Sequence, residues 1–186
     1  MTPYHRNQPV QLEDFRRLAR KRLPRMVFDF IDGAAEDERT LRANREAFSS
    51  VTFEARRLVD VSQRTLTTEV CGQQLDLPVL LAPTGLARLA GRDGERAAAR
   101  AASSHGTVSV VSTASSISLE DVANSTATPQ WFQVYPWGDR EVTLSLIHRA
   151  KNAGYHTLVI TVDVPVTGAR ERDLYNGMTV PPRVDA

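Results

Sequence analysis

In the second half of the chain, small polar residues recur at the ends of short apolar runs. Pro83-Thr84-Gly85 follows Val79–Ala82, and Ser112-Thr113 follows Val108–Val111. Gln133 and Tyr135 alternate within Trp131–Tyr135, Thr161 and Asp163 close Leu158–Val162, and Arg170 stands in the loop beyond. If the apolar runs are parallel strands, these residues gather at one end of the sheet, where parallel α/β folds bind their ligands. Hydrogen-bonding groups at four successive strand ends form a rim suited to a planar heterocycle rich in donors and acceptors. Any one Ser or Thr in such a place reads as a turn residue; the coincidence across four strands carries the expectation. Other chemistries have less support. There is no Walker A motif and no G-x-S-x-G elbow, and Gly91-Arg-Asp-Gly94 lacks the first pair of a G-x-G-x-x-G fingerprint. His5, His105, His148 and His156 show neither H-E-x-x-H nor cysteine-paired spacing, so no metal site is expected.

The apolar runs begin 29, 23 and 27 residues apart, with helical stretches between them. Residues 93–104 are rich in Ala and Arg and are followed by Gly106 as a stop. Ser118-Leu-Glu-Asp121 is a capping-box pattern, and Asp139 can cap a helix that places Val142, Leu146, Ile147 and Ala150 inward and ends at Gly154. The order is β-α-β-α-β-α-β with crossovers of helix length, so the strands should run parallel, with both faces covered or as a barrel wall. Before Val79 the chain reads differently. Leu12, Phe15, Leu18 and Ala19 mark one helical face. Pro24 suits the first turn of a second helix ending at Gly33, and residues 36–48 suggest a third. Thr67–Cys71 and Gln74–Leu77 around Gly72 suggest a small hairpin, and Pro78 ends this preamble.

Composition narrows the class. The chain has 186 residues, 24% charged and 41% apolar, with 23 Lys+Arg against 22 Asp+Glu. Near-neutral charge and plentiful aliphatics exclude disorder, and no apolar run is long enough for a membrane-spanning helix. The N-terminus lacks the apolar core of a secretory signal. The lone Cys71 cannot form an internal disulfide and reads as a small apolar filler in a reducing compartment. Six basic residues fall between Arg16 and Arg25, but Glu13, Asp14, Asp29, Asp32 and Glu36 flank them. The cluster therefore reads as a solvated helix face, and nucleic acid is not expected as a partner.

Several ordered segments resemble the FMN-dependent 2-hydroxy-acid oxidases and dehydrogenases, a family that includes glycolate oxidase, L-lactate dehydrogenase and mandelate dehydrogenase. They are LPRMVFDFIDGAAEDERTLRANREAF (23–48), LPVLLAPTGLARLAGRDGERAAARAA (77–102), VVSTASSISLEDVA (110–123), WFQVYPWGDR (131–140) and LVITVDVPVTGARERDLYNGMTVPP (158–182). The resemblance implies an α/β fold: the N-terminal half of a (β/α)8 TIM barrel. Residues 1–78 would form a helical preamble and β-hairpin, and residues 79–186 the first four β/α units of an FMN-binding barrel. It further implies that Pro83, Thr84 and Gly85 lie against the flavin, and that Ser112, Gln133 and Thr161 hydrogen-bond its ring system. Tyr135 and Arg170 would line the substrate side. The family reaction oxidises an L-2-hydroxy acid to the 2-keto acid: a histidine base takes a proton, and the α-hydrogen moves to flavin N5 as a hydride equivalent.

Two departures stand out. Phe30 occupies a position where the family usually has a tyrosine that helps hold the substrate carboxylate, so a bulkier or more apolar acid is one expectation and a simply packed ring the other. The base itself, part of an S-N-H-G-G-R-like motif in the family, is absent from the 186 residues, as is the phosphate site. Ser104-His105-Gly106 precedes a strand rather than ending one, and reads as a helix end. The expectation is a chain inactive alone, with a non-catalytic half-barrel that self-associates or pairs with a complementary half as the alternative. The expected location is cytoplasmic, with at most peripheral contact to the inner membrane.

Overall fold

A computed structural model describes residues 9–136, 138–163 and 166–179. In chain order its elements are α1 Leu12–Arg22, α2 Arg25–Asp32, α3 Arg39–Ser49, β1 Thr68–Val70 and β2 Gln73–Leu75. A 3-10 turn at Ala87–Leu89 follows, then α4 Gly94–Ser104, β3 Val110–Val111, α5 Leu119–Ala123, β4 Trp131–Val134, α6 Arg140–Asn152, β5 Thr157–Ile160 and α7 Glu171–Tyr175. They form two compact units: a helical one, from the described residues up to Arg56 and from Val166 onward, and a sheet-containing one, Arg57–Pro165.

In the helical unit, α1 begins where Asp14 accepts hydrogen bonds from Val10 N (2.8 Å) and Gln11 N (3.2 Å). The bond from Val10 and the neighbouring Arg17 guanidinium hold the Asp14 carboxyl down to about 2. Three of the six basic residues of the cluster are ion-paired: Arg16 with Asp32, Arg17 with Asp14, and Arg25 with Asp29. Pro24 caps α2, which buries Val27 and Phe28. The third helix starts at Arg39, later than the sequence suggests, because Glu36 and Glu38 take left-handed φ of 49° and 60°. Arg172 of α7 reaches Glu38 (2.7 Å) and Asp32 (3.2 Å), and Asn176 reaches Asp29 (2.8 Å).

The second unit opens with the expected hairpin. β1 and β2 are antiparallel with Val70 opposite Gln73. The two-residue turn between them is Cys71-Gly72, with φ of 51° and 75°, the sign pattern of a type I′ turn. Cys71 is exposed there, not a core filler, because the turn directs it to solvent. A three-stranded parallel sheet follows, ordered β3-β4-β5. The expected strand over residues 79–82 is reduced to one parallel bridge, Leu81 with Ser109, in which Leu81 N donates to Val108 O and Val110 N to Leu81 O. Pro83 has no N–H with which to extend the ladder.

Ser118 Oγ accepts from Asp121 N at 3.1 Å and Asp139 Oδ1 from Glu141 N at 2.8 Å, so α5 and α6 start where their caps predict. β3 and β4 are covered on both faces. Phe132 and Val134 pack with Val111, Val122 and Ala150 on the helix side, while Val108, Val110 and Trp131 pack with Leu75 of the hairpin on the other. Trp131 Nε1 donates to Gln73 Oε1 at 2.8 Å, which fixes the hairpin beneath the sheet.

Candidate functional site

Gln133 lies at the centre of the site in the sheet unit. It faces away from the helices and is 1% exposed, between Ser112 at the end of β3 and Thr161 just after β5. Its Oε1 accepts from Ser112 Oγ (3.2 Å) and Thr113 N (3.2 Å), and its Nε2 donates to Thr161 Oγ1 (2.8 Å). The parallel register brings three residues from three strands into one hydrogen-bonded row at the C-terminal strand ends. With those bonds made, the second Nε2 hydrogen of Gln133 and the Thr161 hydroxyl hydrogen remain to donate outward. Donors in a row at a strand-end rim fit the carbonyl and nitrogen edge of a heterocyclic ring, so this donor set fits a flavin. Thr113 holds the strand ends in step: its Oγ1 donates to Gln133 O (2.6 Å) and accepts from Tyr135 N (3.1 Å), leaving the Tyr135 ring exposed.

Pro83, Thr84 and Gly85 form the neighbouring edge. Pro83 and Thr84 are exposed, and Thr84 Oγ1 lies 3.4 Å from Ala82 O. At Gly85 an added Cβ would sit 2.8 Å from Ala114 Cβ and 3.1 Å from Ala114 O. The loop after β3 therefore demands a glycine here through its own packing, whatever ring lies above.

In the helical unit the structure pairs the two remaining candidates. The Arg170 guanidinium lies 5.3 Å from the centroid of the Phe30 ring, and its Nη2 donates to the Phe30 carbonyl. Its Nε donates to Asp173. Other guanidinium hydrogens stay available for an anion, and the planar fork suits a carboxylate. A cavity of about 820 Å³ in this unit lies between Arg16, Arg20, Arg25, Asp29, Asp32 and Arg172, whose carboxylates are taken up by ion pairs with the guanidinia.

Two residues of the sheet unit, Glu95 and Ser116, escaped the strand-end logic; Thr113 stands at its expected strand end and acts there as a strap. Glu95 is 4% exposed at the start of α4, and accepts from Ala87 N, Ser116 N and Ser116 Oγ. Burial alone would raise its carboxyl, but these bonds outweigh burial and hold it below the ordinary value. His105, the near-miss, caps α4 with Nδ1 2.9 Å from Ala101 O and is exposed. Among the described residues no group of His, Cys, Asp and Glu could hold a metal ion.

Known proteins resemble this chain in sequence and in fold. (S)-Mandelate dehydrogenase of Pseudomonas putida is 45% identical over 170 residues, covering 91% of this chain and 43% of the relative. L-lactate oxidase of Nostoc sp. is 47% identical over 180 residues, covering 95% and 49%. Among solved structures, the monotopic membrane protein (S)-mandelate dehydrogenase superposes with a TM-score of 0.89 at 44% identity, covering 96% of this chain and 48% of that one. Mandelate oxidase does so at 0.88 and 40%, covering 92% and 50%. The chain thus spans about half the length of the relatives it matches, and its parallel β/α order is that of part of a TIM barrel. The family model described as FMN-dependent dehydrogenase matches residues 19–186. With that match laid over the strand-end row of Ser112, Gln133 and Thr161, the chain belongs to the FMN-dependent dehydrogenase family.

Proposed function

We propose that these residues form the flavin-facing half of an FMN-dependent oxidoreductase that converts a lactate-like L-2-hydroxy acid to its 2-keto acid. The observation that carries this reading is the Ser112–Gln133–Thr161 row at the ends of three parallel strands. When bound, FMN supplies the electron acceptor for the substrate's α-carbon. Gln133 Nε2 and the Thr161 hydroxyl would hold the ring edge by donating to it. Ser112 orients Gln133, and Pro83, Thr84 and Gly85 shield the adjoining edge from water. Arg170, held by Asp173 and the Phe30 carbonyl, offers its free guanidinium hydrogens to the substrate carboxylate, and Tyr135 offers its hydroxyl to the reacting group. In this proposal residues 79–186 are the first four β/α units and residues 1–78 their helical and hairpin preamble. The proton-abstracting base is not among the 186 residues, so these residues alone turn over no substrate. No helix among the described residues is long and apolar enough to cross a membrane.

Phe30 sets the substrate preference in this reading. A tyrosine there would add a hydrogen bond to a charged carboxylate, worth about 1.5–3 kcal/mol where it is made. In an enzyme completed with the missing half, Phe30→Tyr should raise kcat/KM for short hydroxy acids by about tenfold or more, and by less for bulky aromatic ones. An unchanged ratio would mean that Phe30 is only a packed ring.

A second reading draws on the far side of the sheet. Leu158, Ile160 and Val162 lie on the helix-facing side of β5 and beyond it, and are 38%, 56% and 87% exposed. An apolar row beside an open strand edge favours a half-barrel that associates with a second copy or a complementary half. Supplying the missing half and following flavin binding tests both readings, because only the first requires FMN.

A further inference from the structure

We propose that Glu95 is a positioning residue whose carboxylate clamps the loop after residue 82 to the loop after β3, fixing the spacing between the Pro83–Gly85 edge and Ser112. What these two edges face rests on the flavin reading above; the clamp itself rests on geometry alone. Glu95 Oε1 accepts from Ala87 N (3.0 Å) in the first loop, and from Ser116 N (2.9 Å) and Ser116 Oγ (3.0 Å) in the second. Its Oε2 also meets Ser116 Oγ at 2.9 Å. Ser116 Oγ in turn accepts from Arg88 N at 3.0 Å. No Lys or Arg among the described residues pairs with this carboxylate, so backbone N–H groups and one hydroxyl carry its charge. Such charge-assisted bonds are about twice as strong as neutral ones.

The loops meet at the point the clamp secures. Leu86 N donates to Ala114 O at 3.0 Å, Gly85 abuts Ala114, and Ala114 N donates to Ser112 Oγ at 3.1 Å. Leu86 is held at a φ of 56°, a conformation a leucine adopts only when its surroundings impose it. A cavity of about 290 Å³ lies alongside, with Thr84, Glu95 and Ser109 in its lining, so side-chain packing does not fill this space and leaves hydrogen bonding to set the register. Glu95 therefore acts on the ring site through the loops and touches no ligand itself.

The test compares Glu95→Ala with Glu95→Gln in the 186-residue chain. The glutamine is the conservative rescue, because its Oε1 can accept the same three bonds. Amide hydrogen exchange is read at residues 86–88 and 115–117 against β4, and FMN affinity by fluorescence quenching. In Glu95→Ala, protection in the two loops should fall about tenfold or more while β4 stays unchanged. FMN affinity should fall by a similar factor, and Glu95→Gln should restore most of both. If Glu95→Ala does not fold, Ser116→Ala, which removes one hydroxyl, is read in the same way. Loss of protection spread evenly over the unit would overturn the proposal, as would loops that loosen with no change in FMN affinity. FMN affinity is read with the complementary half present; if the unaltered chain does not quench FMN even then, the flavin reading fails, and the exchange pattern alone still decides the clamp.

Discussion

Gln133→Leu is expected to remove FMN from the completed enzyme and to lower its turnover by about 100-fold or more, the scale on which a misplaced reacting group is felt. The side chain is 1% exposed and binds Ser112 Oγ, Thr113 N and Thr161 Oγ1. Leucine cannot accept, so the buried Ser112 hydroxyl loses its partner at about 1–3 kcal/mol, and the half-buried Thr113 N–H loses its own at a smaller cost. Part of the loss would therefore be stability, and Gln133→Glu separates the two. Ser112, Thr113 and Thr161 can all donate to a carboxylate, so the sheet should survive. The N–H donor aimed at the ring is gone, so FMN should still leave. If Gln133→Glu binds FMN as the unaltered protein does, Gln133 is a structural residue and the site lies elsewhere.

Phe132→Ala should cost about 3–5 kcal/mol, as truncating a buried aromatic generally does. Phe132 is 1% exposed at the middle of β4, in the core with Val111, Val122 and Ala150. It also meets Tyr155 edge to face, with ring centroids 5.7 Å apart. Tyr155 is tied in turn, its hydroxyl donating to Leu119 O at 2.8 Å, and burial pushes its own ionisation upward. Loss of the Phe132 ring therefore loosens the packing of α5 and α6 against β4. Domains of this size hold about 5–15 kcal/mol in total, so the variant should unfold at a far lower urea concentration. The fluorescence of neighbouring Trp131 reports that midpoint. A shift equivalent to less than about 1 kcal/mol would show that the core is loosely packed around β4.

Much of this arrangement could be read from residue types. The caps at Ser118 and Asp139 and the Gly72 turn are local, and short-range hydrogen bonding decides them, so they stand where the sequence puts them. The Ser112, Gln133 and Thr161 row was legible because parallel strands bring their C-terminal ends together whatever the loops do. Features decided by long-range partners were not legible. The segment at 79–82 looks like a full strand by hydropathy, yet Pro83 and the loop after it limit its pairing to Leu81. Glu36 to Glu38 has helical composition, but left-handed φ at two of its residues delays α3 to Arg39. Glu95 gave no signal at all: an acidic residue in a first helical turn is ordinary, and its importance comes from Ser116, 21 residues away. Cys71 was misread because a buried environment was assumed for a residue that the hairpin turn exposes.

We propose that these residues carry the ring-binding half of a flavin site and lack its base. The most direct measurement mixes the purified chain with a separately produced C-terminal half of a family member in the presence of FMN, and follows the flavin absorbance under anaerobic conditions. A yellow complex with one FMN per pair of halves is expected, bleached by an L-2-hydroxy acid, with neither half bleaching alone. A pair that assembles but takes up no FMN, or a chain that bleaches flavin with no second half, would contradict it.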